Sequence, residues 1–136
     1  MSTTRVLVVE DDEDLQTVLS FALKKIDAQM QIDWFTSAED ALEKLKAGMS
    51  DPSLPKYNLV VADIFLSKAK TGVDLWLACE KTRPKIDFLL ISGMDLGDFF
   101  KLVGNNVLPP PYLGKPFSPD RFREVVSALL NKRPQS

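Results

Sequence analysis

Two kinds of segment alternate along this chain. The first is a short run dominated by Val, Leu, Ile and aromatic residues: RVLVVE at 5–10, QIDWFT at 31–36, NLVVAD at 58–63, KIDFLLIS at 85–92 and the shorter YLGK at 112–115. Runs of this length and composition predict strands buried on both faces of a parallel sheet. The second kind repeats apolar residues every three or four positions. Leu15, Val18, Leu19, Ala22, Leu23 and Ile26 form one such stripe, which predicts an amphipathic helix directly after the first strand. Ala38, Ala41, Leu42 and Leu45 form a second, with Ser37 and Asp40 placed as a cap and Gly48 as its end. Residues 73–83 read as a third helix closed by Pro84. Residues 95–103 give a short fourth that ends near Gly104. Phe122, Val125, Val126, Leu129 and Leu130 supply the stripe of a fifth, with Ser118 as its cap and Pro119 in its first turn.

Strand and helix thus alternate five times. Right-handed βαβ crossovers turn that order into an α/β sandwich of three layers, a five-stranded parallel sheet with helices on both faces. The expected domain is single, 1–136, with its core at about 4–132. Three connections stand out: SDPSLPK at 50–56, SKAKTG at 67–72, and NNVLPPP at 105–111, whose three successive prolines cannot donate to a sheet ladder.

Composition narrows the function classes. The net charge of −2, with no basic run beyond Lys132-Arg133, argues against a nucleic-acid partner held by bulk electrostatics. No stretch approaches the ~20 apolar residues that span a membrane, and MSTTRV enters a strand at once rather than reading as a signal peptide. Cys79 is the single cysteine, so no internal disulfide forms; a reducing, cytoplasmic setting and a plain packing role fit it. The chain has no histidine. That removes His-ligated zinc, Ser-His and Cys-His catalysis, and a phosphohistidine of its own. Trp34, Phe35 and Trp76 read as packing residues, and Phe99 and Phe100 are adjacent, so one helix face cannot bury both.

The strands end in chemistry. Glu10, Asp11 and Asp12 follow the first, Asp63 closes the third, Ser92 the fourth, and Lys115 the fifth. Sites in open parallel sheets form beyond the carboxyl ends of the strands. Two carboxylates ~4 Å apart repel by roughly 4 kcal/mol at an effective dielectric of ~20, and a divalent cation would reverse the sign. Hard oxygen ligands on a small rim suit Mg²⁺ (or Mn²⁺), which keeps several waters. Lys115 can balance an incoming phosphoryl group and Ser92 can donate to its oxygens. Acids for a metal, a carboxylate nucleophile, a lysine and a hydroxyl are what phosphoryl transfer to Asp requires.

At VLVVEDDEDL, VVADIFL with its following TG, LLISG and YLGKPF, the chain resembles the receiver domain of two-component response regulators. The motifs occur in order at matching spacing over nearly the whole chain. The resemblance implies a flavodoxin-like fold with strand order 2-1-3-4-5. It implies that Asp63 is the phosphoacceptor and that Asp11 contacts Mg²⁺ directly, Glu10 through water. Phe65 would offer its backbone carbonyl to the metal, and Ser92 and Lys115 would bind phosphoryl oxygens, with Pro116 shaping the turn. Tyr112 would be the switch aromatic that follows the hydroxyl. Asp12 falls outside the acidic pair and reads as a helix-start acid. Phe65 and Met94 occupy the positions that, by this resemblance, would line the path of hydrolytic water. Both are bulky and apolar, which implies a long-lived phosphoaspartate.

The implied partners are a histidine kinase or histidine phosphotransfer protein as donor and an unknown downstream protein, with no direct nucleic acid and no membrane. A monomer, or a weak homodimer through helix 4, strand 5 and helix 5, is expected. Magnesium-dependent self-phosphorylation and slow autodephosphorylation would be the sole chemistry, without separate enzyme turnover. The chain ends soon after its fifth helix, so a stand-alone receiver without an output domain is expected. Two segments depart from the family pattern: IFLSKAKTG is one residue longer before its glycine, and VLPPP stiffens the stretch before Tyr112. The rival readings are a receiver-like binding module that no longer cycles phosphate, and a small Asp-nucleophile phosphohydrolase. The second ranks low because Phe65 stands where such an enzyme carries its general acid.

Overall fold

Strand and helix alternate in the order β1 (Arg5–Val9), α1 (Glu13–Ile26), β2 (Gln31–Phe35), α2 (Ala38–Ser50), β3 (Leu59–Asp63), α3 (Gly72–Cys79), β4 (Asp87–Ser92), α4 (Leu96–Val103), β5 (Tyr112–Gly114) and α5 (Pro119–Asn131). These come from a computed structural model that describes residues 3–66, 71–81, 86–104 and 110–131. All four strand pairings are parallel and the sheet order is β2-β1-β3-β4-β5, the fold expected from the sequence.

Successive strand residues face opposite layers. Leu7, Val9, Val60, Ala62 and Leu90 point to one side and pack with α2, α3 and Phe99 of α4. Val6, Val8, Val61, Leu89 and Ile91 point to the other and pack with α1 and with Phe122, Val126 and Leu129 of α5. Burying a large aliphatic or aromatic side chain contributes about 1.5–3 kcal/mol, so both faces need their helices. The register pairs Val9 with Ala62, Asp63 with Ile91, and Ser92 with Gly114. The residues that follow Val9, Ala62, Ile91 and Gly114 are Glu10, Asp63, Ser92 and Lys115. In-phase pairing therefore delivers all four to one rim.

The helix caps follow the sequence. Ser37 Oγ accepts from Asp40 N at 3.2 Å, and Ser118 Oγ accepts from Arg121 N at 3.0 Å. Thr71 and Asp74 form a reciprocal capping box at α3. Asp12 caps α1, accepting from Asp14 N at 2.9 Å and Leu15 N at 3.3 Å. Its carboxylate is thereby engaged in starting the helix.

Some boundaries differ. β1 stops at Val9 and β2 at Phe35, one residue short of each apolar run. Gly48 does not end α2, which continues to Ser50 with Asp51 as its cap; the glycine with positive φ among the described residues is Gly104, at +93°, which ends α4. α3 stops at Cys79 rather than reaching residue 83. Val18 lies off the buried stripe of α1 and is 41% exposed. Phe99 is buried and Phe100 exposed, as adjacency demands. Cys79 is free and buried, and burial pushes its thiol up to about 12. Residues 67–70 of the SKAKTG loop, Pro84, residues 105–109 and the Lys132-Arg133 pair lie outside the described residues. Of the proline run, Pro110 is buried and the Pro111 carbonyl accepts from Leu90 N at 3.0 Å. Pro111 thus joins the sheet through an acceptor, the one ladder role open to a proline. Among the described residues no helix is long and apolar enough to cross a membrane.

Candidate functional site

At the rim, Lys115 reaches across from the end of β5. Its Nζ lies 2.5 Å from Asp63 Oδ2 and 3.5 Å from Glu10 Oε1. Asp63 Oδ1 accepts from Phe65 N at 3.1 Å. Glu10 Oε2 accepts from Asp12 N at 3.0 Å, whereas its Oε1 is buried and accepts no hydrogen bond. The structure thus brings together Glu10, Asp63 and Lys115. Asp11 lies exposed at the turn after Glu10, unpaired among the described residues.

Burial sets the electrostatics. Glu10 is 1% exposed. Desolvation pushes its pKa up to about 7; the hydrogen bond from Asp12 opposes that rise and the Asp63 charge adds to it. Desolvation lowers the Lys115 amine, but the hydrogen bond and charge of Asp63, with the charge of Glu10, outweigh it and the net direction is up. Lys115 is therefore a fixed cation at neutral pH, set against more negative charge than it can balance.

Ser92 is fully buried. Its Oγ accepts from Met94 N at 3.1 Å, which leaves the hydroxyl hydrogen free to donate elsewhere. Its carbonyl accepts from Lys115 N at 2.7 Å, tying the end of β5 to the end of β4. The Lys115–Pro116 peptide is cis. The Tyr112 hydroxyl lies 3.1 Å from the Ser92 carbonyl and against that of Met94. Its ring stacks on Phe99 with centroids 4.4 Å apart. Burial raises the Tyr112 pKa, so the phenol stays a donor. Met94 is half-buried and Phe65 is 59% exposed, its ring turned outward beside the acceptor.

Two supporting residues join those read from the sequence. Gly72 packs against the acceptor's own backbone: a Cβ there would stand 2.4 Å from the Asp63 carbonyl oxygen. Only its place in the TG motif signalled it. Gln16 donates from Nε2 to the Glu10 carbonyl at 2.5 Å. Sequence reading missed it, and the available signal was its position four residues after the helix cap.

The oxygens at this rim fit a hard divalent cation. Glu10 Oε1, buried and met only by the 3.5 Å ion pair to Lys115, and the Asp63 carboxylate offer hard oxygen donors, with the Asp11 carboxylate exposed on the next residue of the turn. Among the described residues no three acids cluster closely enough to enclose a metal by themselves. Mg²⁺ needs only one or two carboxylates and retains water. Chemically, the rim holds a carboxylate, an ammonium against it, a free hydroxyl hydrogen and surplus negative charge that a cation would relieve.

No family model matches the chain. It is 27% identical over 128 residues to the alkaline phosphatase synthesis transcriptional regulatory protein PhoP of Bacillus subtilis, covering 94% of this chain and 49% of that protein. The chain thus spans about half the length of this curated relative. The response regulator receiver protein of Sinorhizobium medicae has a solved structure that superposes with a TM-score of 0.79 at 25% identity, over 98% of each chain. The receiver domain of DrrB, solved in a form activated by beryllofluoride, superposes with a TM-score of 0.72 at 20% identity, over 96% of this chain and 99% of that one.

Proposed function

We propose that this chain works as a receiver domain of the two-component response-regulator type, a reading its likeness to known response regulators supports, and that it accepts a phosphoryl group on Asp63 and carries a signal by doing so. An Asp63 carboxylate oxygen attacks phosphorus, the P–N bond of a partner's phosphohistidine breaks, and the imidazole leaves with the bond's electrons and takes up a proton. The donor is a histidine kinase or a histidine phosphotransfer protein, since this chain has no histidine. The observation that carries the reading is Lys115 Nζ at 2.5 Å from Asp63 Oδ2, next to a buried Glu10. A lone ammonium between two acids is placed to follow negative charge as it moves from the carboxylate to a phosphoryl oxygen.

Glu10, Asp11, Asp63 and the Phe65 carbonyl would hold Mg²⁺ or Mn²⁺. The bound ion supplies charge neutralisation between the acids and the incoming phosphoryl oxygens. Ser92 turns its free hydroxyl hydrogen to the phosphoryl group. Movement of Ser92 is passed through the Ser92–Met94 turn to Tyr112 and Phe99, and so to α4, where Phe100 and Leu102 are exposed to a downstream protein. The role is signalling in the cytoplasm rather than turnover of a small substrate.

Beryllofluoride, a phosphoryl mimic, tests the site directly. In the presence of Mg²⁺, ¹⁹F NMR is expected to show a bound fluoride signal with the wild-type chain and none with Asp63→Asn. No bound signal in wild type overturns the reading and favours a phosphate-independent binding module.

A further inference from the structure

We infer that Gln16 is a positioning residue for the divalent-cation site, acting through the Glu10–Asp11 peptide. The inference rests on the reading of Glu10 and Asp11 as cation ligands. Helical side chains lean toward the helix N-terminus, so a residue in the second turn can reach back over the chain entering the helix. Gln16 does so. Its backbone N closes the first turn of α1 on the Asp12 carbonyl at 2.9 Å. Its side-chain Nε2 passes beyond the cap to the Glu10 carbonyl at 2.5 Å.

The helix does not need this bond for its start, because Asp12 already satisfies Asp14 N and Leu15 N. The acidic turn does need it. Glu10 is 1% exposed, so its carbonyl has little water to accept from. Glu10 N is fixed on the Phe35 carbonyl at 2.9 Å. The Gln16 bond fixes the other end of the residue. A peptide group is planar, so the direction of the Glu10 carbonyl also sets the direction of Asp11 N and the Asp11 Cα. Gln16 therefore fixes where Asp11 Cα leaves the turn, and so limits where its exposed carboxylate can stand relative to Glu10 Oε1, the buried oxygen without a hydrogen bond. Residues that orient ligands in this way typically change metal affinity 10–100-fold when removed.

The test is the Mg²⁺ dissociation constant of the full chain by isothermal titration calorimetry, with thermal melting of each metal-free protein alongside. Gln16→Met keeps length and volume but loses the donor, and is expected to weaken Mg²⁺ binding about tenfold. Gln16→Asn keeps the amide but is one methylene too short, and is expected to do the same; it carries the test if the methionine variant does not fold. Thr17→Val is the control. Thr17 Oγ1 donates to the Glu13 carbonyl at 3.1 Å within the same helix and does not touch the turn. It is expected to leave the constant within twofold of wild type. Wild-type affinity in both Gln16 variants overturns the inference. Equal weakening in Thr17→Val overturns it too, by reducing the effect to general loosening of α1. No Mg²⁺ binding by the wild-type chain refutes the cation site itself, and the positioning role falls with it.

Discussion

Gly72 offers a sharp test of how tightly the acceptor strand is packed. A Cβ added there would lie 2.4 Å from the Asp63 carbonyl oxygen, 3.0 Å from its carbonyl carbon and 3.0 Å from Leu90 Cδ2. Comfortable carbon–oxygen contacts begin at ~3.3 Å, so Gly72→Ala must open the junction of β3 and α3 by roughly 1 Å. Two of the three obstacles are backbone, and Leu90 is fully buried, so relief is costly. Overpacking of this kind costs about 1–3 kcal/mol. Replacing a helical glycine returns about 0.5–1 kcal/mol. The expected net loss is about 1–2 kcal/mol, which for a domain of this size lowers the melting midpoint by roughly 4–10 °C. Gly48→Ala gives the opposite sign. Gly48 lies inside α2, and a Cβ added there would meet nothing within 4 Å, so the variant gains about 0.5–1 kcal/mol. Differential scanning calorimetry on the two variants and wild type makes the comparison. A midpoint for Gly72→Ala at or above wild type refutes the packing argument, as does a comparable fall for Gly48→Ala.

Glu10→Gln removes a carboxylate whose burial raises its pKa to about 7; because folding then disfavours the charged form, urea unfolding in EDTA is expected to show added stability over wild type at about pH 8 that fades as pH falls below about 4.5, and a loss at about pH 8 would contradict the view of Glu10 as a strained buried charge. Phe99→Ala deletes a buried ring stacked on Tyr112, with an expected cost of about 3–5 kcal/mol by the same unfolding assay; a cost below about 1 kcal/mol would show that α4 is not anchored through this ring. Phe65, whose ring stands outward beside the acceptor, and Met94 are proposed to shield a phosphoaspartate once it forms; the purified phosphoprotein is expected to keep its label for long periods and Phe65→Asn to shorten that time, and rapid loss from wild type that EDTA abolishes would contradict the shielding argument.

The strands were legible because every strand but the edge ones is buried on both faces, which writes an unbroken apolar run into the sequence; their order came from the resemblance to receiver domains. The rim was legible because chemistry interrupts those runs at fixed places: Glu10, Asp63, Ser92 and Lys115 each follow directly on buried residues or on the strand end beside them. Helix ends were less legible. Gly48 looks like a terminator, but the chain around it stays helical and Asp51 caps it instead. Val18 fits the helical period yet is exposed, because the buried arc of α1 is narrower than its apolar stripe. Gln16 escaped notice, and Gly72 was marked only by the TG motif, because their roles are contacts with backbone, of the Glu10 and Asp63 carbonyls, and backbone leaves no residue type to match. Whether Phe99 or Phe100 faces inward is likewise set by the Tyr112 ring, a tertiary contact that adjacency alone does not decide.

The central claim is that Asp63 becomes an acyl phosphate. Incubation of the chain with acetyl phosphate and Mg²⁺, followed by intact mass spectrometry, tests it most directly. One added phosphoryl group per chain, absent in EDTA and absent in Asp63→Asn, is the predicted result. No adduct on the wild-type chain, or an adduct that persists in Asp63→Asn, would contradict it.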